Sequence, residues 1–333
     1  MRRALVSMGD YHLRTCARGD NGVSYGESMT VVSLPVLDWV AALGDVPDVE
    51  FVHWDLSAAP VREDIEVVVG PYMASPKRLE WLAELPQLRA VQLVTAGYEH
   101  ALRYLPDGVV LANGAGIHDT STAELALGLT LAAQRGLPDF ARAQERGEWL
   151  RAAGLPSLAD RNVLVLGYGS VGRAIVRRLN AFETNVTAVA SRRRPGDEFV
   201  DEVHGIEDLP DLLPSAEIVI LIVPLTDATE GLVDADFLAA LPDGALVVNV
   251  ARGKVVDTDA LVAALQAGKV RAALDVTDPE PLPNGHPLWS CPGLLISPHV
   301  GGASTAFEPR AVDFLRRELT RYARGERLSH IVA

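Results

Sequence analysis

Lysine and cysteine are both scarce in this 333-residue chain. The two cysteines, Cys16 and Cys291, stand far apart and form no Cys-x-x-Cys pair. That excludes a disulfide framework and a cysteine-rich zinc site, and both thiols read as ordinary and reduced. No other set of residues suggests a metal site. Of 30 basic residues only Lys77, Lys254 and Lys269 are lysines, and 44 acidic residues outnumber them, for a formal charge of −14. Such a chain is poorly suited to nucleic acid, because that affinity rests on Lys and Arg neutralising phosphates. Long apolar runs are also missing. The run Ile218 to Val223 is far short of the roughly 20 residues needed to span a bilayer, so no membrane partner is expected. Near the N-terminus, Ala4–Met8 is apolar, but Asp10 follows too soon for a signal-peptide core. That run reads as a first buried strand, and the chain reads as soluble and cytoplasmic.

The 48% hydrophobic content argues against disorder, and the length suits about two domains. Strand-like runs occur at Ala4–Met8, Val49–Trp54, Glu66–Val69, Ala90–Val94 and Val109–Ala112, with helical stretches at Val36–Leu43 and Arg78–Leu85. The second half repeats the rhythm at Asn162–Leu166, Val186–Ala190, Glu217–Val223, Ala245–Val250, Ala272–Val276 and Leu294–Ser297. Continuous apolar runs are what strands covered on both faces require. The alternation predicts an α/β fold of two Rossmann-like, doubly wound parallel-sheet domains. A long helix is expected after Asn113–Gly116, capped by Asp119, Thr120 or Ser121 and ending near Arg135. A second should run from Phe140 to Leu150, and an amphipathic one from Glu308 to Arg324 with Pro309 in its first turn. The expected division is a substrate domain of residues 1–113 plus 305–333, with a dinucleotide-binding domain of 114–304 inserted.

Asn162–Leu166 leads straight into Gly167-Tyr168-Gly169-Ser170-Val171-Gly172 and then a helical run from Arg173 to Leu179. A Gly-x-Gly-x-x-Gly between strand and helix is a dinucleotide fingerprint. Gly167 permits the turn, Gly169 lets backbone approach a pyrophosphate, and Gly172 lets the helix close on the sheet. The free N–H groups of Ser170, Val171 and Gly172 attract the anion. An NAD site would place Asp or Glu at the end of the next strand, to bind the ribose 2′-hydroxyl. Here that position is Ala190, followed by Ser191, Arg192, Arg193 and Arg194. A missing carboxylate beside a hydroxyl and guanidinium groups suits a 2′-phosphate, so NADP(H) is expected over NAD(H).

Three polar residues follow the ends of apolar strands: Arg252 after Val247–Ala251, Glu280 after Ala272–Val276, and His299 after Leu294–Pro298. Ligands of open α/β sheets bind outside the carboxyl ends of the strands, so these residues should converge. Arg252 can clamp a substrate carboxylate. His299 can exchange a proton with a carbonyl oxygen, and Glu280 within reach of its ring would favour the imidazolium.

At this point the chain resembles the D-isomer-specific 2-hydroxyacid dehydrogenase family over almost its whole length. The glycine motif carries the resemblance, together with Val223-Pro224-Leu225-Thr226 and Thr229, Val248–Gly253, Leu274-Asp275-Val276 through Glu280-Pro281, and Ser297–Gly302. The resemblance implies that Arg252, Glu280 and His299 are the catalytic set and that Asp275 lies beside the nicotinamide amide. It implies that Thr122, Pro224, Thr229, Val250, Ala251 and Gly301 lie near the cofactor. Val94-Thr95-Ala96-Gly97 matches the family loop whose backbone N–H groups hold the substrate carboxylate, so Ala96 and Gly97 join Arg252 and His299 at the substrate. Tyr72, in Val69–Met73, is expected near the substrate side chain or in packing. A homodimer through the cofactor domain is implied, with the helix after Asn113 and the segment through Trp149 at the interface. The sequence departs from the family pattern at Ala190, and at Glu99, where an aspartate is usual. The expected activity is NADPH-dependent reduction of a small 2-oxoacid such as glyoxylate or hydroxypyruvate. Alternatives within the same fold are phosphite oxidation and a dinucleotide-sensing binding protein like the C-terminal-binding-protein corepressors. The loop at Thr95–Gly97 lacks a lysine for the extra charge of phosphite, and no peptide-docking extension is evident.

Overall fold

The structure is a computed structural model that describes residues 29–333. The expected strand Ala4–Met8 and Cys16 lie outside the described residues. The chain enters through β1 (Thr30–Leu34), α1 (Leu37–Leu43), β2 (Val49–His53), β3 (Val67–Val69), β4 (Ala90–Gln92) and β5 (Val110–Ala112). These strands form one parallel sheet in the order β2-β1-β3-β4-β5. Strand β1 is not among the strand-like runs of the sequence, yet its Val31, Val32 and Leu34 are buried and it lies inside the sheet. The stretch expected to be helical at Arg78–Leu85 is a 3₁₀ helix over Pro76–Glu84.

The chain then leaves this sheet through α2 (Asp119–Gln134) and α3 (Leu137–Glu145). A second unit follows: β6 (Asn162–Leu166), α4 (Ser170–Asn180), β7 (Asn185–Ala190), β8 (Arg194–Pro195), β9 (Glu202–Gly205), α5 (Leu209–Leu212) and β10 (Ile218–Leu221). It continues with α6 (Ala235–Ala240), β11 (Ala245–Asn249), α7 (Thr258–Gln266), β12 (Val270–Leu274) and β13 (Leu294–Ile296). The sheet order is β13-β12-β11-β10-β6-β7-β9-β8, parallel apart from the short β8–β9 pair at the edge. Ile218–Leu221 are wholly buried, as are Leu246–Val248. Helices cover this sheet on both faces, which is why its strands read as unbroken apolar runs. The order reverses between β6 and β10, the switch point where such sheets open a ligand crevice.

Two helices differ in detail from expectation. No side chain caps α2: the Asp119 carboxylate accepts instead from the Ser170 hydroxyl at 3.0 Å, and the Ser121 hydroxyl bonds to that of Ser304 at 2.8 Å. Helix α3 starts at Leu137 and stops at Glu145, so Trp149 lies beyond it. The chain returns to the first sheet through α8 (Phe307–Ala323), whose Ala311, Phe314, Leu315 and Leu319 pack with Val32, Leu34, Trp39 and Leu43. Its last residues then lie along β5, where the Val332 N–H bonds to the Leu111 carbonyl at 2.8 Å. No described helix is long and apolar enough to cross a membrane.

Candidate active site

The glycine loop leaves β6 at the switch point. Gly167 has φ +113°, and a Cβ there would meet the Ile222 carbonyl oxygen at 2.5 Å, so only glycine suits the turn. A Cβ on Gly172 would lie 2.1 Å from the Gly167 carbonyl oxygen, which ties helix α4 to the loop. Gly169 differs, since a Cβ there would meet nothing within 4 Å. The helix begins at this open face, and no side chain caps its first N–H groups. A bare helix start with open space beside it has room for a pyrophosphate, to which the N–H groups of Ser170, Val171 and Gly172 could donate.

At the end of β7 the three arginines have different surroundings. Arg193, expected at a 2′-phosphate, is drawn away by Glu202 at 2.7 Å and Asp208 at 2.9 Å. The carboxylates of β9 and the turn after it face that guanidinium. Arg194 donates to the Tyr168 carbonyl at 2.8 Å and lies over the Tyr168 ring. Burial and the bond to Asp197 push the Tyr168 phenol up to about 12, so it stays protonated. Arg192 has no ion-pair or hydrogen-bond partner among the described residues, and Ser191 beside it is exposed. Arg192 and Ser191 thus remain the pair open to a phosphate.

His299, Glu280 and Arg252 do converge. The His299 Nδ1 makes a short, charge-assisted hydrogen bond with Glu280 Oε1. The ring is carried on a left-handed residue, φ +54°, a conformation that costs a non-glycine about 1–3 kcal/mol. The turn is held by Asp275, whose carbonyl accepts the His299 N–H at 2.7 Å. Its buried carboxylate accepts from Ser297 Oγ at 2.6 Å and from the Val300 and Gly301 N–H groups at 2.9 Å. Three donors of the histidine turn thus converge on the Asp275 carboxylate, which holds that turn.

The hydrogen bond to Glu280 and its charge raise the His299 imidazole above its ordinary value, against burial and the nearby Arg252 charge. Burial pushes Glu280 upward, but the bond and charge of His299 outweigh it and hold the carboxyl below its usual range. Both directions favour an imidazolium–carboxylate pair. A reduction that needs protonated His299 should therefore persist above the ordinary imidazole range. In Glu280→Gln the His299 value falls, so the alkaline limb of the reductive kcat/KM profile should move to lower pH. An unmoved limb would remove Glu280 from this role.

Arg252 is set by its own corner. Buried Asn249 accepts from the Ala251 N–H at 3.0 Å and donates to the Arg252 carbonyl at 2.9 Å. A Cβ on Gly253 would lie 2.0 Å from the Thr277 carbonyl oxygen, so the Arg252 corner packs on the Glu280 loop. Arg252 Nη1 donates to the Ala251 carbonyl at 2.7 Å. Its Nη2 lies where a Gly97 Cβ would stand, at 1.8 Å, and 3.8 Å from Glu99 Oε2. The two units thus meet at Gly97.

The loop Val94–Gly97 is fixed by residues the sequence reading did not single out. Asn113 Nδ2 donates to the Ala96 carbonyl at 2.7 Å, and His118 Nε2 donates to that of Val94 at 3.0 Å. Buried Gln92 donates to the carbonyls of Leu93 and Asn113. A glutamine at the end of a buried strand was the available signal. The Tyr72 ring stacks on Phe307 at 4.1 Å and beside His118 at 5.2 Å, and its hydroxyl lies 2.7 Å from where a Gly302 Cβ would stand. Thr122 meets Asp275 at Gly301, where a Cβ would lie 3.0 Å from Asp275 Oδ2 and 3.5 Å from Thr122 Oγ1. The Thr229 hydroxyl staples its loop, donating to the Pro224 carbonyl at 2.6 Å and accepting from the Thr226 N–H at 2.8 Å. Val250 and Ala251 are buried at the carboxyl end of β11. Among the described residues no cluster of three or more His, Cys, Asp or Glu could hold a metal.

Residues 127–301 match the family model described as the D-isomer specific 2-hydroxyacid dehydrogenase, NAD binding domain. The chain is 31% identical over 251 residues to the glyoxylate reductase of Thermofilum pendens, covering 72% of this chain and 74% of that protein. It is 33% identical over 224 residues to the human glyoxylate reductase/hydroxypyruvate reductase, covering 65% of this chain and 68% of that one. The crystal structure of a D-isomer specific 2-hydroxyacid dehydrogenase from Xanthobacter autotrophicus Py2, in complex with NADPH and MES, superposes with a TM-score of 0.76. It is 31% identical and matches 92% of this chain and 98% of its own. With a glycine loop open at the switch point and Arg252, Glu280 and His299 brought together after β11, β12 and β13, these likenesses make the chain a member of the D-isomer specific 2-hydroxyacid dehydrogenase family of oxidoreductases.

Proposed function

We propose that this protein reduces a small 2-oxoacid, such as glyoxylate or hydroxypyruvate, to the D-2-hydroxyacid with NADPH. The observation that carries the reading is the meeting of Arg252 with Gly97 beside the paired His299 and Glu280. Ser170, Val171 and Gly172 would hold the coenzyme pyrophosphate, with Gly169 leaving room for it. Absence of an acid at Ala190, with Arg192 and Ser191 free, supports a 2′-phosphate. The NADPH held by the Xanthobacter relative agrees with that. When bound, the nicotinamide supplies the hydride that reaches the carbonyl carbon.

The remaining work falls to this chain. Arg252 and the loop at Ala96–Gly97 orient the substrate carboxylate, which fixes the adjacent carbonyl. His299 has Nδ1 engaged by Glu280, leaving Nε2 to face the carbonyl oxygen. The Nε2 proton passes to that oxygen as negative charge develops on it, and Glu280 stabilises the imidazolium beforehand. In the reverse direction neutral His299 accepts the hydroxyl proton.

We take residues 1–113 with 305–333 as the substrate domain and 114–304 as the dinucleotide-binding domain. Exposed Leu137, Trp149, Leu150 and Leu155, clustered in sequence after α2, support a homodimer through the cofactor unit. A monomer mass by equilibrium sedimentation would refute that assembly. The activity is tested by coenzyme oxidation with glyoxylate, hydroxypyruvate and bulkier 2-oxoacids, using NADPH and NADH in parallel. We expect kcat/KM to favour NADPH by about 10–100-fold, the worth of one charge-assisted phosphate contact. Preference for NADH would overturn the coenzyme assignment. Tight NADPH binding without turnover of any 2-oxoacid would favour a sensor.

A further inference from the structure

Glu99 brings a carboxylate of the protein to the groups that a substrate carboxylate needs. Its Oε2 accepts from the Tyr98 N–H at 3.0 Å and lies 3.8 Å from Arg252 Nη2. The same oxygen stands 3.3 Å from where a Gly97 Cβ would be. One carboxylate oxygen therefore sits among a loop amide, the bare face of Gly97 and the guanidinium. Gly97 and the guanidinium are among the groups that orient the 2-oxoacid carboxylate in the reading above, and the Tyr98 amide follows Gly97 directly.

The contact is built to open. At 3.8 Å the Arg252–Glu99 pair is too long for a hydrogen bond, and both side chains are 34% exposed. Arg252 is positioned independently of Glu99, through Nη1 on the Ala251 carbonyl and through the Asn249 corner. Loss of the pair leaves the guanidinium held. An aspartate here, one methylene shorter, would reach less far from the loop toward Arg252.

We propose that Glu99 is an internal carboxylate that occupies the 2-oxoacid carboxylate subsite in the free enzyme, and that substrate binds by displacing it. This deepens the proposed activity and rests on it. A subsite occupied from within is available only for a fraction of the time, and apparent affinity falls by that fraction. Glu99 therefore tunes KM and acts as a positioning residue outside the chemical step. Its charge also disfavours substrates that bring a second negative group to the same place.

Glu99→Gln tests this, because the amide oxygen can still accept from the Tyr98 N–H while the charge opposite Arg252 is gone. KM for glyoxylate and hydroxypyruvate should fall about three- to tenfold, with a smaller change in kcat. Oxamate, an unreactive analogue, should bind the NADPH complex of the variant more tightly by a similar factor. Glu99→Asp should show a smaller change in the same direction, and serves alone if the glutamine variant does not fold. Unchanged or weaker oxamate binding in the variant, a raised KM, or no oxamate binding to either protein would each overturn the proposal. If neither protein reduces any 2-oxoacid but oxamate still binds more tightly to the variant, the subsite assignment stands and the proposed activity falls.

Discussion

His299→Ala lowers kcat for 2-oxoacid reduction by about 10²–10⁴-fold, the usual worth of a positioned acid, and leaves NADPH affinity within about twofold. The separation follows from where the groups sit. The pyrophosphate donors belong to the start of α4, after interior strand β6, whereas His299 follows β13, an edge strand four places away in the sheet order. Alanine also strains the turn, since residue 299 has φ +54°. Asparagine tolerates that conformation better than most residues but cannot transfer the proton. His299→Asn should thus be as inactive as His299→Ala while keeping the Asp275 hydrogen bonds. If the asparagine variant recovered substantial turnover, the defect in alanine would be one of turn geometry, and the acid–base assignment would fail. Steady-state turnover and a coenzyme fluorescence titration on both variants decide the matter.

Much of this architecture was readable because burial on both faces leaves a plain mark. Ile218–Leu221 and Ala245–Val248 cannot be anything but core strands, and a glycine motif between such a strand and a helix has few other uses. Other features were hidden for physical reasons. Strand β1 holds only Val31, Val32 and Leu34 as apolar residues, with buried Ser33 between them, too short a run to stand out beside the longer ones. The cap expected on α2 depended on Asp119, Thr120 or Ser121 serving its own helix, and only the fold brings Ser170 beside Asp119 and Ser304 beside Ser121. Arg193 read as a phosphate ligand because its partners Glu202 and Asp208 become neighbours only when β9 pairs with β7. The support of the loop Val94–Gly97 by Asn113 and His118 has the same character. It joins residues from the end of β4 to the exit of β5, a proximity set by sheet order.

Arg252→Ala should lower kcat/KM by about 10²–10⁴-fold, because a bidentate arginine–carboxylate contact supplies two charge-assisted bonds of about 1.5–3 kcal/mol each. Part of the loss falls on KM, through the missing carboxylate contact. The rest falls on kcat, since an unanchored 2-oxoacid no longer holds its carbonyl against His299. Arg252→Lys keeps the charge but not the planar fork, and should recover only a minor part of the activity. Gly97 sharpens the test without touching Arg252 itself. A Cβ there would lie 1.8 Å from Nη2, so Gly97→Ala must push the guanidinium away from the loop. Its kinetic defect should resemble that of Arg252→Lys, with both KM and kcat affected. NADPH binding should be retained, because neither residue belongs to the glycine loop. If Gly97→Ala instead behaved as wild type, the guanidinium would not need to meet the loop, and the joint carboxylate site would be wrong. A full loss of coenzyme binding in Arg252→Ala would equally displace the arginine from the substrate to the structure of the β11 corner.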